Sequence, residues 1–358
     1  MTRPGRPLRI LHGLTNVVGI GGHLAKWQRA NGHQSHFVVY RANAIFPNHD
    51  ERVFPEPEGS KLHSAWLCFR TMLRHMRRHD VYHFYASRSF IPGCLDLPLL
   101  RLFGKKIVMT YCGSEVRLAA IEARRNPFWD EIEPVFAGTV NDRSHDWRKR
   151  IALRWQGLWC HRVLAPRDMY APAASVIPAR KIVEDIWIHN LSATELDGPV
   201  TPLVVNPERL KIIHAPSNPV IKGTRYIREA IETLRAEGLV FDYVELQNMP
   251  HPEAIAHIAT ADIVADELLI GSFGSLAVEA MTFGRPIISF AIDEIRKKHF
   301  PDSPTVNATI HNVTDVLRDL VKDGERRVRL GAEGQAFVAR HMDYETINKR
   351  MINLYRTL

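Results

Sequence analysis

Short β-branched apolar runs alternate with longer amphipathic segments along this chain of 358 residues, and the alternation fades once and begins again. A strand followed by a helix and another strand pairs in parallel, so the pattern requires mostly parallel sheets covered on both faces. In the first half, strands are expected at Leu8–Leu14, His36–Tyr40, Val81–Ala86, Lys106–Tyr111 and Arg162–Ala165, and helices at Gly22–Asn31, Leu62–His79 and Ser144–Leu158. From Ala171 to Pro207 the periodicity fades and prolines recur at 172, 178, 199, 202 and 207, which reads as an interdomain crossing. The second half resumes with expected strands at Leu210–Ala215, Phe241–Leu246 and Asp262–Asp266 and expected helices at Thr224–Glu237 and Pro252–Thr260, then Gly331–His341 and Tyr344–Leu358. The expected fold class is α/β, with two doubly wound domains facing a central cleft. Their bounds are 1–175 and 176–340, and a last helix over 341–358 crosses back to the first domain. In such sheets ligands sit at the carboxyl ends of the strands.

Length favours two cores over one. With 45% hydrophobic and 24% charged residues the composition is that of a soluble globular chain, and no run of about 18 apolar residues offers a membrane span. The basic start leads into an apolar stretch that His12, Thr15 and Asn16 interrupt, with no small-residue cleavage site. It reads as a first strand and not as a signal peptide. Cys68, Cys94, Cys112 and Cys160 are widely spaced without a CxxC pair, which points to a reducing cytoplasm and argues against a disulfide framework or a zinc site. His75, His79 and His83 recur every four residues, but strand character from Val81 breaks the helix. A solvated basic helix end is expected there, and no metal is assigned.

Residues 1–165 carry 25 basic and 13 acidic residues, a net +12, whereas residues 166–358 carry 22 and 26, a net −4. Basic clusters lie at Arg70, Arg74, Arg77 and Arg78, at Lys105 and Lys106, and at Arg148, Lys149, Arg150 and Arg154. No nucleic-acid motif or spaced aromatic platform accompanies them, so nucleic acid is not an expected partner. An anionic membrane surface is the preferred reading and a merely solvated face the plain alternative. The apolar segment FIPGCLDLPLL, 90–100, adds to the membrane expectation.

The densest chemistry lies in GSFGSLAVEAMTFGRPIISF, 271–290. Ser275, after Gly274, is the expected cap of a helix that carries Glu279 one turn in; Gly284 ends it, and Ile287 and Ile288 open a buried strand. A helix start attracts phosphate, and a carboxylate one turn on can accept hydrogen bonds from ribose hydroxyls. A first-turn Glu also stabilises a helix dipole without binding anything, so this segment alone leaves both readings open.

Three more loops bear on it. Gly19, Ile20, Gly21, Gly22 and His23 follow the first strand, where small residues permit close backbone approach, although Leu24 breaks the dinucleotide fingerprint. In HAPSNPVIKGT, 214–224, Lys222 precedes Gly223 at a helix start and can face a departing diphosphate, or be an ordinary exposed lysine. In YCGSEVR, 111–117, Glu115 can hold an acceptor hydroxyl or orient Arg117, or the two can form a cap and a surface pair.

The order GG, GSE, KG and GSFGSLAVEAMTFGRPII resembles the GT-B fold glycosyltransferases of the retaining family 4 type, over nearly the whole chain. Their last motif holds two Glu separated by seven residues, in a context like EGFGxxxxEAMAxGxPV. Glu279 falls on the second Glu, Phe273 and Gly274 on FG, and Ala280, Met281, Gly284 and Pro286 on the rest. The resemblance implies two Rossmann-like domains, with Glu279 on the nucleotide ribose, amides around Gly274, Ser275 and Leu276 on the diphosphate, and Lys222 on the departing phosphate charge. Gly21, Gly22, Ser217 and Phe273 complete the implied donor side, and Cys112, Gly113, Ser114 and Glu115 the acceptor side, with Glu115, Lys222 and Glu279 as the catalytic set. Three positions depart from the pattern: Gly271 replaces the first Glu, Ser217 a basic residue, and Cys112 a His. Because the first Glu is assigned to the donor sugar, Asp266 or Glu267 is the nearest substitute carboxylate.

The implied activity is retaining, hexosyltransferase-type transfer from a nucleotide-diphosphate sugar to a glycan or lipid-linked acceptor, in cell-surface polysaccharide or glycoconjugate synthesis. The expected location is cytoplasmic, peripheral at the inner face of the cell membrane. No DxD sequence occurs, so no metal and no cofactor beyond the donor are expected. An epimerase or hydrolase of nucleotide sugars on the same fold and a non-catalytic nucleotide-sugar-binding subunit are the alternatives.

Overall fold

Seven strands of the N-terminal half pair in parallel: β1 (Arg9–Leu14), β2 (Gln34–Val39), β3 (Glu51–Arg52), β4 (Val81–Tyr85), β5 (Lys106–Thr110), β6 (Arg162–Leu164) and β7 (Ile182–Val183). Their order across the sheet is β3-β2-β1-β4-β5-β6-β7. A second parallel sheet, in the order β12-β11-β10-β8-β9, holds β8 (Leu210–His214), β9 (Phe241–Glu245), β10 (Ile263–Ala265), β11 (Ile287–Ser289) and β12 (Val306–Asn307). Covered on both faces, most of these strands read as near-continuous apolar runs, as parallel sheets require. The computed structural model describes residues 6–55, 60–139, 141–189 and 200–358. The chain divides into two units, one of Met1–Ile121, Arg143–Asn190 and Glu345–Leu358, the other of Glu122–Asp142 and Leu191–Tyr344. Residues 190–199 of the expected crossing lie outside the described residues.

Both sheets reverse their winding beside the first strand, between β1 and β4 in the first unit and between β8 and β10 in the second. Loops after these strands diverge and leave room for a ligand. In the first unit, Cys68, Met72 and Met76 of the helix Lys61–Met76, Leu97 and Leu100 of the helix Leu97–Leu102, and Leu153 of the helix Asp146–Trp159 enter one core with Leu11, Phe84 and Met109 of the sheet. All three helices therefore cover the same face. Each fully buried side chain of this kind contributes about 1.5–3 kcal/mol.

The first unit also buries histidines inside its sheet. His12 Nε2 donates to Gln28 Oε1 at 2.9 Å and Nδ1 meets Tyr85 Oη at 2.7 Å, while His83 bridges Thr110 Oγ1 at 2.6 Å and Tyr355 Oη of the last helix at 2.5 Å. Burial lowers His12 to about 4 and His83 well below its ordinary value, so both rings are neutral in the fold.

Several expectations need correction. The helix Ile20–Ala30 starts earlier than expected, and Gly21 and Gly22 lie in its first turn. The helix Lys61–Met76 stops short of His79, yet His75 and His79 are buried, at 1% and 7% exposure, and are not a solvated end. They pack toward the edge strands β2 and β3, whose partnership no local pattern announces. In the segment 90–100, Phe90, Cys94, Leu97 and Leu100 are core residues and Leu95 is exposed, so most of its apolar side chains pack inside the unit. The helix Gly324–His341 begins seven residues before the expected start.

Candidate functional site

The carboxyl ends of β8 and β10 in the second unit hold the best-formed polar constellation. β8 ends at His214, whose Nδ1 donates to Ala265 O at 2.8 Å and whose Nε2 accepts from Thr224 Oγ1 at 2.8 Å. Burial lowers its pKa, so a neutral ring fixes the end of β8 against β10 and the start of the helix Thr224–Ala236. After β8, Asn218 caps the short helix Pro219–Lys222 by accepting from Val220 N and Ile221 N. Gly223, at φ +73°, then turns the chain so that Lys222 ends its helix beside β10.

The ammonium of Lys222 lies 2.7 Å from Asp266 Oδ1, and Asp266 is the first residue after β10 with a fully buried side chain. The other oxygen of Asp266 accepts from Gly274 N at 3.2 Å. Gly274 is the N-cap of the helix Ser275–Thr282, so Ser275 is its first helical residue and not its cap, contrary to expectation. A Cβ at position 274 would stand 3.7 Å from Lys222 Nζ. One buried carboxylate thus joins the cation and the amide that the resemblance assigns to the diphosphate. Glu279 lies one turn on, nearly buried, with Oε1 2.7 Å from Nε2 of His251 in the helix His251–Ile258. Sequence reasoning missed His251; its only local mark is its place after Pro250 at a helix start.

The loop between Asp266 and Gly274 is held from within. Glu267 accepts from Ile270 N, Gly271 N and Ser272 N, each at 3.0 Å. Gly271 has φ +89° and packs against Ile292. Asn126 Nδ2 donates to Leu269 O at 2.7 Å, and Phe128 stacks edge-on against Phe290, bracing the loop from the 122–142 segment. Phe273 is buried against Phe300, with ring centroids 4.1 Å apart, so its position offers a ligand only backbone atoms. Ser217 is exposed, and Ser275 and Leu276 are half-buried on the first turn.

In the first unit, a Cβ on Gly21 would meet the Phe37 ring at 2.5 Å and one on Gly22 the Asn48 carbonyl oxygen at 2.1 Å. The missing side chains therefore serve the protein's own packing. Cys112 N donates to Glu115 Oε1, which closes the turn after β5, and Arg117 Nη2 donates to Asp168 at 2.6 Å. Burial and the neighbouring Glu115 carboxylate push the Cys112 thiol well up, so it is no nucleophile at neutral pH. Gly113 and Ser114 complete this turn, and Ser114 O accepts from Lys149 Nζ at 2.9 Å.

A cavity of about 1240 Å³ opens instead at the ends of β1, β2 and β4. Asn16, Tyr40, Arg41, Lys61, Arg88 and Phe90 are among its lining residues, and none of Cys112–Glu115 is. No sequence pattern marks it, because its walls come from four separate loops and one helix.

Two doubly wound parallel-sheet units in one chain, together with the solved structures that match it, place the fold in the GT-B class. No family model and no curated protein matches the chain. Solved structures match nearly all of it. Sucrose-phosphate synthase from Thermosynechococcus elongatus has 14% identity and a TM-score of 0.68, covering 98% of this chain and 99% of its own. HepE of Anabaena, solved with UDP-glucose, has 12% identity and a TM-score of 0.65 over 98% and 99%. WaaG, a glycosyltransferase involved in lipopolysaccharide biosynthesis, has 14% identity and a TM-score of 0.62 over 97% and 99%. At these identities the likeness is one of fold.

Proposed function

We propose that the chain is a glycosyltransferase of the retaining family 4 type that moves a hexosyl group, without a metal, from a nucleotide-diphosphate sugar to a lipid-linked or glycan acceptor. The observation that carries the reading is the triad of Lys222, Asp266 and the Gly274 amide at the switch of the second sheet. An ammonium and a helix start aimed at one point suit a leaving diphosphate, whose charge grows as the glycosidic bond breaks. Stabilisation that strengthens with that charge accelerates the transfer. The diphosphate, on the same face as the incoming hydroxyl, takes its proton, which gives retention. Glu279, oriented by His251, receives the ribose hydroxyls. The complex of HepE with UDP-glucose supports a uridine diphosphate sugar as the first donor to try.

An amphipathic acceptor in the first unit is supported by the cavity beside the helix Lys61–Met76. Lys61, Ser64, Ala65 and Cys68 border the cavity, while Leu62, Trp66, Phe69 and Leu73 of the same helix are exposed, Leu62 by 84% and Trp66 by 53%. Arg70, Arg74, Arg77 and Arg78 lie exposed around this stripe. On the same face of the sheet, the helix Asp146–Trp159 exposes Trp147, Ile151 and Leu158 beside Arg148 and Arg154. Apolar stripes flanked by arginines suit the interface of an anionic bilayer, and no helix among the described residues is long and apolar enough to cross one. The reading places the protein at the cytoplasmic membrane face, in glycoconjugate or polysaccharide synthesis.

A panel of nucleotide-diphosphate sugars, assayed with native membrane lipids as acceptors, tests the proposal. Lys222→Ala is expected to lower transfer by roughly 10²–10³-fold, the usual cost of one donor to a developing anion. Unchanged transfer in both Lys222→Ala and Glu279→Ala refutes the assignment. Consumption of donor without acceptor would instead identify an epimerase or hydrolase.

A further inference from the structure

Three side chains of the seven-stranded unit that the proposed transfer does not use converge on one point. They are His36 in β2, Glu51 at the start of β3 and His75 at the end of the helix Lys61–Met76. Nε2 of His75 lies 3.2 Å, and Nε2 of His36 3.4 Å, from the same oxygen of Glu51, and the three ligand atoms lie within 4.8 Å of one another. We propose that this cluster is a binding site for a divalent transition-metal ion of the zinc type, held by His36, Glu51 and His75.

The spacing fits such an ion. Zinc bonds of about 2.0–2.2 Å at tetrahedral angles place neighbouring ligand atoms about 3.3 Å apart, which two of the observed separations match. The far side of each group also faces a polar neighbour. His75 Nδ1 is 3.3 Å from His79 Nδ1, His36 Nδ1 faces Asp50 Oδ2 at 3.9 Å, and the second oxygen of Glu51 accepts from Arg74 Nη2 at 2.6 Å. His79 and Arg74 are outer partners of this kind, orienting the His75 ring and keeping one Glu51 oxygen turned inward, while Asp50 adds only negative charge near His36.

Two imidazoles and a single carboxylate select zinc-like ions over magnesium or calcium, which take oxygen ligands. The cluster is closed on the side of His75, at 2% side-chain exposure, and open on the side of His36, at 34%. There it meets a cavity of about 390 Å³ whose walls include Arg9, Gln34, Arg77 and Arg78. A fourth ligand from that cavity is water or a small anion, because guanidinium groups favour negative charge. The same arginines weaken cation binding relative to an all-protein cage.

Position defines the role. The helix Lys61–Met76 ends where β4 is about to begin, so the cluster lies at the amino end of the sheet, opposite the loops that line the large cavity. The ion would fasten the outer strands β2 and β3 to that helix, at an edge where β3 is only two residues long. The inference stands independently of the transferase reading.

The test is zinc binding by tag-free full-length protein after chelation and dialysis, measured by competition with a chromogenic chelator and by thermal melting. Wild type is expected to bind one zinc ion at the cluster and to melt higher with zinc. His36→Asn, at a half-exposed position, and Glu51→Gln are expected to bind at least tenfold more weakly, with unchanged circular dichroism and no zinc-dependent rise in melting temperature. If a variant unfolds, anomalous diffraction at the zinc edge on wild-type crystals places the ion directly. Absence of zinc binding, equal binding by wild type and His36→Asn, an ion located elsewhere, or a melting rise with inorganic phosphate and none with zinc overturns the proposal.

Discussion

Replacing Gly271 by Glu restores the first carboxylate that the resemblance to family 4 leads one to expect, and the geometry says the loop will reject it. Gly271 sits at φ +89°, and a Cβ there would lie 2.6 Å from Ile292 Cγ1 and 2.7 Å from its Cδ1. The left-handed backbone costs a non-glycine residue about 1–2 kcal/mol. Displacing buried Ile292 adds about 1–3 kcal/mol of overpacking. The new carboxylate would also stand near Glu267, whose Oε1 already accepts the Gly271 N–H at 3.0 Å. The expected loss is therefore roughly 2–5 kcal/mol, most of it already present in Gly271→Ala, which carries the strain and the clash without the charge. For a unit of this size each kcal/mol lowers the melting temperature by about 2–4 °C, so calorimetry should record a fall of roughly 4–20 °C in both variants. Donor turnover should not improve. A Gly271→Glu protein that melts with wild type refutes the reasoning, and one that also turns over donor faster shows that the loop can open to admit a carboxylate.

Three further outcomes follow from other contacts. His251→Ala removes the partner of Glu279 Oε1 and is expected to weaken nucleoside-diphosphate binding by about tenfold in titration calorimetry, the worth of one good hydrogen bond to a charged group; equal affinity counts against a ribose role for Glu279. His12 falls from an ordinary 6.5 to about 4 on burial, so its contribution leaves stability flat above pH 6.5, removes it progressively between pH 6.5 and 4 as the unfolded chain takes up a proton the fold refuses, and levels off below; at about 1.4 kcal/mol per pH interval the total is about 3 kcal/mol, and His12→Gln should flatten urea-derived stability over that window, an undiminished slope being the contrary result. The double variant Trp66→Ala with Phe69→Ala should lose flotation with anionic vesicles at low salt while keeping the wild-type melting temperature, because both rings are solvent-exposed; retained flotation removes this helix from the membrane reading.

The strands that build both sheet centres were legible because a parallel strand covered on two faces must be apolar along its length, as Ile10, Leu11 and Ile212, Ile213 are. The edge strands were not, since Glu51–Arg52 in β3 is polar and short and becomes a strand only through β2. Buried histidines have no local signature either. His75 and His79 look solvated on a basic helix, and only Glu51 and His36, brought from 24 and 39 residues away in sequence, explain their burial. Apolar content does not say which side of a segment faces water: in 90–100 Phe90, Cys94, Leu97 and Leu100 point into the core, whereas the helix before it exposes Leu62, Trp66, Phe69 and Leu73. In the candidate site, glycine and lysine spacing located the loops, but not the internal hydrogen bonds. Neither the hold of Asp266 on Lys222 nor that of His251 on Glu279 has a local signature, and the withdrawal of Glu267 onto three amides depends on a turn that Gly271 alone permits.

Asp266 has a kinetic consequence. Where a diphosphate is proposed to bind, the protein's own Asp266 carboxylate spans both proposed donors, Lys222 and the Gly274 amide. A tethered competitor acts at high effective concentration and never diffuses away. If the proposed donor site holds, this carboxylate would lower affinity for donor and spent nucleotide alike and would re-form its own contacts as the product loosens. An enzyme whose slow step is product release gains rate from such an arrangement.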